Sequence, residues 1–356
     1  MKLLHSVKTV HSILHSSIFF QIEKFISKWS LWLLGALILV LLLVPLFGFN
    51  LFVMRIIIVI GIYCMLALAL NLISGYVGQL SLGNVGFYAI GAYTATIFMI
   101  RFGWSFWTAM IIAGIFAGIS GLLLGLPTLR LKGAYLTIVT LGFGEIIRMV
   151  LMNWTGVTSG MLGIRNIPLP EFFGIRLTLA NNGLYYLVLA LTLLVSVFCL
   201  FIIKSKIGRA FIAIREDEIA AQMMGIRAFR YKVLAFVLSA AISGIAGAFY
   251  APMIGFIDPT LFTFEISSLL VSMVILGGLG TMRGMYFGAA VLILFPEVSR
   301  FMMEYRFVIY GLILVLMMRF RPQGLLGWQS RMPYHFKKSI RKELLAEGCL
   351  PQEQTH

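Results

Sequence analysis

The feature that most constrains this chain is a succession of long apolar runs, joined by short polar stretches, from Leu31 almost to its end. A helix that crosses the hydrocarbon core of a bilayer takes about 20 apolar residues. Runs of roughly that length lie at 31–47, 51–73, 84–100, 107–127, 133–153 and 183–203. Beyond a polar stretch at 204–232, four more lie at 233–252, 264–281, 284–301 and 306–320. Lipid tolerates no unpaired backbone, so about ten such hydrophobic segments in 356 residues predict an all-α polytopic membrane protein. The runs at 84–100, 264–281 and 306–320 are short and suit tilted or re-entrant segments. No joint between runs is long enough to form a domain of its own.

Composition excludes the other classes. The chain is 60% hydrophobic and 12% charged, with a mean hydropathy of +0.99, whereas a soluble domain is about 45–50% apolar and about 25% charged. A soluble fold of this size would leave much of that apolar surface in water.

The net charge of +15 has a pattern. Lys2, Lys8, Lys24 and Lys28 lie in a leader at 1–30. Lys204, Lys206, Arg209, Arg215, Arg227, Arg230 and Lys232 lie in the joint at 204–232, and a tail from Arg319 is again basic. Six runs separate leader from joint and four separate joint from tail, so all three fall on one face, together with Arg130 and Lys132. Basic residues are retained on the cytoplasmic side. The reading is therefore a cytoplasmic leader (1–30), a membrane domain (31–320) and a cytoplasmic tail (321–356), with an outer loop at 154–182. The first run has no small-residue cleavage site and reads as a retained span. No aromatic-basic stripe suggests nucleic acid as a partner.

Much chemistry is missing. The histidines, His5, His11, His15, His335 and His356, all lie near the ends, and Asp217 and Asp258 are the only aspartates. Cys64, Cys199 and Cys349 have no metal or disulfide spacing. No phosphate-binding glycine loop with its lysine occurs. No catalytic residue, metal site or cofactor of the chain's own is expected, which leaves a conduit or a carrier.

Glycine is abundant, with 35 residues. The pairs 114/118, 121/125 and 244/247 put small residues on one helix face, as close helix packing requires. Two glycine-rich stretches, Gly75–Gly91 and Gly277–Gly288, occupy different halves and suggest a diverged internal repeat, although their residues match poorly.

Three constellations are candidates for transport. Asn71, Ser74, Gly75, Gln79, Ser81 and Gly83 directly follow an apolar run. They fit either a broken helix lining a translocation pathway or a cytoplasmic turn with a packed re-entrant segment. Among the charges near or within runs (Arg55, Glu145, Arg148, Glu265, Arg283, Glu297, Arg300), Glu145 with Arg148 and Glu297 with Arg300 share an i, i+3 spacing. Each such pair can neutralise itself, so both read as structural ion pairs. In the basic joint, the residues between Gly208 and Gly225 are good helix formers without proline, which predicts one helix over 209–224 stopped by Gly225. Its Ala220, Ala221, Met223 and Met224 give a small apolar surface suited to a groove on a partner, or simply to the lipid headgroups.

At this joint the sequence resembles the LivM-type permease subunits of bacterial ABC importers for branched-chain amino acids. The resemblance rests on Gly208-Arg209-Ala210, Ala213-Ile214-Arg215-Glu216-Asp217-Glu218-Ile219-Ala220-Ala221 and Met224-Gly225-Ile226. It extends to Leu70–Gly91, Leu131–Leu136, Thr140–Glu145, Gly277–Thr281 and Arg319–Gly327, and so covers about residues 50–328. The chain departs from the family at Thr158-Ser159-Gly160, where a Thr-Gly-Gly form is usual. The resemblance implies a permease fold paired with a second permease of the LivH type. It also implies two ABC ATPase subunits that bind ATP and Mg, and an external solute-binding protein, all at the bacterial inner membrane.

The same resemblance makes the basic joint the coupling element, with Gly208, Arg209, Arg215, Glu216, Glu218, Ala220, Ala221 and Gly225 as its ATPase-coupling residues. In the wider importer class this loop reads Glu-Ala-Ala, three residues, then Gly. Here Ala220 to Gly225 fits, but Ile219 stands at the acidic position and Glu218 is displaced by one. The competing readings are an ion-coupled secondary amino acid carrier using Glu145, an ABC permease for amides or urea, and a non-transporting receptor.

Overall fold

The computed structural model describes residues 50–128, 133–172 and 174–298, with isolated positions at 45, 308, 311, 312, 315, 319 and 324. The expected leader, first span, joint at 130–132, last span and tail lie outside the described residues, apart from those positions.

Each apolar run within the described residues is a helix. The first, α1 (Leu51–Asn71), continues through a π-turn, Leu72–Val77. From Met65 to Val77 every residue is buried, as befits a segment apolar on all sides. There follow α2 (Asn84–Arg101), α3 (Phe106–Thr128), α4 (Ala134–Asn153), a short α5 (Thr155–Thr158) and α6 (Gly183–Lys204). Then come two short helices, α7 (Lys206–Glu216) and α8 (Glu218–Met223), the long α9 (Ala228–Ile254), and a final pair, α10 (Phe264–Gly277) and α11 (Met282–Val298). Six helical stretches, Leu51–Val77, Phe106–Pro127, Ala134–Asn153, Gly183–Lys204, Ala228–Ile254 and Pro259–Gly277, are long and apolar enough to cross a membrane.

The core is built around α9, whose 27 residues reach about 40 Å at 1.5 Å per residue. It packs against α3, α2 and α1. Gly91 of α2 lies directly on Gly244 of α9, and Gly247 lies on the Tyr88 carbonyl, so a side chain at any of the three would overlap backbone. On the other side, a Cβ at Gly121 would come within 2.5 Å of the Ala240 Cβ, and one at Gly244 within 2.9 Å of the Ala113 carbonyl. Gly118 is different, because a Cβ there meets Ala241 at an ordinary 3.7 Å. Lipid supplies no hydrophobic drive between helices, so this close backbone approach is what holds the three together.

Helices α10 and α11 form an antiparallel hairpin in which Gly277 abuts Gly284 and Gly288 abuts the Met273 carbonyl. At the end opposite the basic joint, the segment after α4 forms α5, a 3-10 turn at Gly160–Leu162 and two small sheets. Strand β1 (Ile164–Arg165) pairs antiparallel with β4 (Phe256–Ile257), and β2 (Glu171–Phe172) with β3 (Ile175–Arg176). Arg101 Nη2 donates to the Gly156 and Val157 carbonyls at 2.5 and 3.1 Å, and Trp107 Nε1 donates to Glu171 O at 3.0 Å. Ser159, where the resemblance leads one to expect glycine, has φ +62°, in the left-handed region that glycine enters without strain.

Candidate functional site

The basic joint differs from its expected form. The single helix over 209–224 is in fact two, because Asp217 is extended (φ −154°, ψ 113°) and caps a new helix. Its Oδ1 accepts from Ile219 N at 2.8 Å and Ala220 N at 3.0 Å. A short acidic side chain competes for nearby backbone donors and favours the cap over the helix interior. The preceding helix starts three residues early, at Lys206, because Ser205 Oγ accepts from Ile207 N at 3.1 Å. Gly225, with φ +83°, follows α8 and lets the chain turn into α9.

This unit has two faces. Gly208, Ala210, Phe211, Ile214 and Ala221 are buried against the protein, so Ala221 does not belong to the outward surface. Arg209, Arg215, Glu216, Ala220 and Gly225 are exposed. The outward tip is carried by Ile219, 63% exposed, and by Met223 and Met224, each 83% exposed. Ile219 thus supplies part of that tip, which its place at the family's acidic position had concealed. Glu218 turns inward, where its Oε1 accepts from Lys232 Nζ at 2.6 Å, and Lys232 is only 4% exposed. The pair ties α8 to the first turns of α9.

The polar stretch after α1 lies beside this unit. Asn71 Oδ1 accepts from Gly280 N at 2.9 Å and its Nδ2 donates to Thr281 O at 3.3 Å, which fixes the α10–α11 turn to the end of α1. Gly75 sits in the same contact, where a Cβ would overlap the Asn71 side chain and come within 2.5 Å of Gly280 N. The two glycine-rich stretches, noted in sequence for their likeness, are therefore in contact through Gly75 and Gly280. Gly324 also bears on this turn, since a side chain there would overlap Gly278.

Segment 78–83 is held by its neighbours. Ser74 Oγ donates to Gln79 O at 3.1 Å, and Ser81 Oγ accepts from Gly83 N at 3.3 Å. Thr137 Oγ1 donates to Leu80 O, Thr140 Oγ1 accepts from Leu82 N, and Ser267 Oγ donates to Leu82 O at 2.7 Å. Gly83 packs on the Thr140 carbonyl. The Oε1 of Gln79 is buried with no hydrogen-bond partner among the described residues.

On α4, Arg148 Nη2 lies 2.7 Å from Glu145 Oε2, and both side chains are about a quarter exposed. Beside them is a shallow cleft lined by Gly144, Glu145, Leu82, Thr263 and Ser267 among others. Tyr135, Ile138, Ile146 and Met149 of the same helix face outward. The second expected pair lies outside the described residues, as far as the side chains of Glu297 and Arg300 are concerned. Among the described residues, no cluster of His, Cys, Asp and Glu could hold a metal ion.

An all-α body of membrane-crossing helices, closely packed through glycine and carrying a short two-helix unit with an exposed apolar tip at its basic end, defines a multi-pass membrane protein. The chain belongs to the family described as branched-chain amino acid transport system / permease component, whose model matches residues 52–318. It is 42% identical over 287 residues to the Escherichia coli K12 high-affinity branched-chain amino acid transport system permease protein LivM, covering 74% of this chain and 68% of that protein. It is also 24% identical over 290 residues to the permease protein LivH of the same strain, covering 74% of this chain and 91% of LivH. A more distant relative is the autoinducer 2 import system permease protein LsrC of Salmonella paratyphi B, 26% identical over 252 residues and covering 68% of this chain and 66% of LsrC. No solved structure matches the chain.

Proposed function

We propose that this chain is one of two permease subunits of an ATP-driven importer for branched-chain amino acids in the bacterial inner membrane, with its basic end in the cytoplasm. The observation that carries this reading is the α7–α8 unit. It presents an apolar tip of Ile219, Met223 and Met224 from a basic surface, in a chain with no nucleotide-binding motif of its own. Apolar side chains exposed together mark a partner site, and flexible methionines suit a groove that shifts during a cycle. The partner is a separate ATPase subunit, which binds ATP and Mg and drives alternating access. The likeness to both LivM and LivH supports pairing with a second, LivH-type permease. An external binding protein delivers the solute to the opposite end. On this reading Asn71, Ser74, Gly75, Gln79, Ser81 and Gly83 border the inner mouth of the translocation pathway, and the buried acceptor on Gln79 is consistent with that role.

The test is uptake by the complex reconstituted in vesicles, with ATP supplied and the membrane potential collapsed. Continued leucine uptake is expected, and its loss points to an ion-coupled carrier. Amides or urea competing with leucine for the cognate binding protein would overturn the substrate assignment. M223D with M224D is expected to abolish uptake while the chain stays in the membrane.

A further inference from the structure

One side chain of the outward unit, itself partly exposed, reaches the inner edge of the membrane body. Arg215, in the last turn of α7, donates from Nη1 to the Gly75 carbonyl at 2.5 Å, across a sequence separation of 140 residues. That carbonyl is available because it stands at the end of the π-turn, where helix carbonyls have no partner further along the chain. On its way the side chain crosses Gly78, where a Cβ would stand 3.0 Å from the Arg215 Cγ. Its guanidinium lies on Gly280, where a Cβ would come within 2.6 Å of Nη1. The arginine therefore occupies a slot floored by three glycines from two distant parts of the chain. Asn71 locks those parts to each other through Gly280 and Thr281.

We propose that Arg215 is a positioning residue that transmits displacement of the α7–α8 unit to the inner ends of α1 and of the α10–α11 hairpin together. The inference rests on the reading that the tip at Ile219, Met223 and Met224 engages an ATPase, and it adds how motion leaves that tip. The Asp217 elbow separates the docking helix from the helix carrying Arg215, so contact with the partner and grip on the membrane body lie in different residues. A planar guanidinium, with several donors in a fixed fork, holds a carbonyl in one orientation better than a flexible ammonium does. One arginine seated on both glycine turns moves them as a unit, whereas a bond to one alone would move only that one.

The experiment compares uptake with ATP hydrolysis in the reconstituted four-subunit complex with its binding protein, for wild type, R215M, R215K, G280A and R215M/G280A. R215M is expected to assemble and to hydrolyse ATP while uptake per ATP falls about ten-fold, in the usual range of coupling between sites. R215K is expected to keep an intermediate ratio, because its ammonium still reaches the carbonyl. G280A displaces the guanidinium and also strains a turn whose φ is +81°, so it is expected to lower the ratio at least as far as R215M, with the double variant no worse than G280A alone. A ratio for R215M close to wild type overturns the proposal. So does reduced assembly with an unchanged ratio, because Arg215 would then be only a brace. A wild-type complex without ATP-dependent uptake overturns the permease reading itself and the relay with it, a result distinct from the other two.

Discussion

Lys232 shows how single side chains anchor the α7–α8 unit. It is almost fully buried and pairs with Glu218, whose side chain is 26% exposed. Removing one member of a buried pair strands the other charge, which costs more than the pair contributes. Glu218→Ala is therefore expected to lower stability by about 1–3 kcal/mol, moderated by the water that reaches Glu218. Lys232→Met, which keeps the stem and removes the charge, is expected to cost less. Thermal unfolding of both variants in the same detergent checks the order. In sequence Lys232 was legible only as one basic residue of seven in its joint. Its burial depends on a carboxylate 14 positions earlier that the Asp217 elbow turns inward. The Gly75–Gly280 contact was hidden for the same reason, since each glycine is unremarkable until a residue some two hundred positions away is set against it.

Among the elements, the apolar runs located the membrane helices well. The run at 133–153 became Ala134–Asn153, and that at 183–203 became Gly183–Lys204. Hydrophobic length is a strong signal where lipid allows only helices. The errors fall where polar side chains set the boundary. The helix expected from 233 begins at Ala228, because the polar Arg230, Tyr231 and Lys232 form its first turns against α7 and α8. The elbow at Asp217 was missed because propensity favours an unbroken helix, whereas a single cap divides it. Asp217→Ala is expected to cost about 1 kcal/mol and to speed amide exchange across 218–223, read by mass spectrometry. For the α3–α9–α2 packing, Gly244→Ala is expected to prevent recovery of folded protein. Gly118→Ala is expected to be neutral or slightly stabilising, since it meets no close contact and gains up to about 1 kcal/mol of helix propensity. Size-exclusion profiles and melting temperatures of the two variants decide this.

Across the whole molecule, the helix ends sort into two groups. The end of α1, the α10–α11 turn and the α7–α8 unit gather at the basic end, while Arg101, Trp107, β1 and β4 gather at the other. This is the alternation that counting spans between basic joints requires, though counting alone could not say which joints touch. With the basic end in the cytoplasm, a cysteine at Met223 is expected to react with a membrane-impermeant maleimide only in opened cells. One at Met161, 68% exposed at the opposite end, is expected to react in intact spheroplasts. The reverse pattern would invert the topology.

The elbow also bears on how such a system diversifies. Helix α8 is six residues long, starts from its own cap at Asp217 and is followed by a left-handed glycine at 225. Ala221 and Glu218 hold it to the protein, while Ile219, Met223 and Met224 face away from it. If that tip engages an ATPase as proposed, gene duplication could rewrite which motor the permease answers to by altering Ile219, Met223 and Met224, while Arg215 and its glycine slot stay fixed. Partner choice and force transfer would then be inherited separately, although they lie within ten residues of one another.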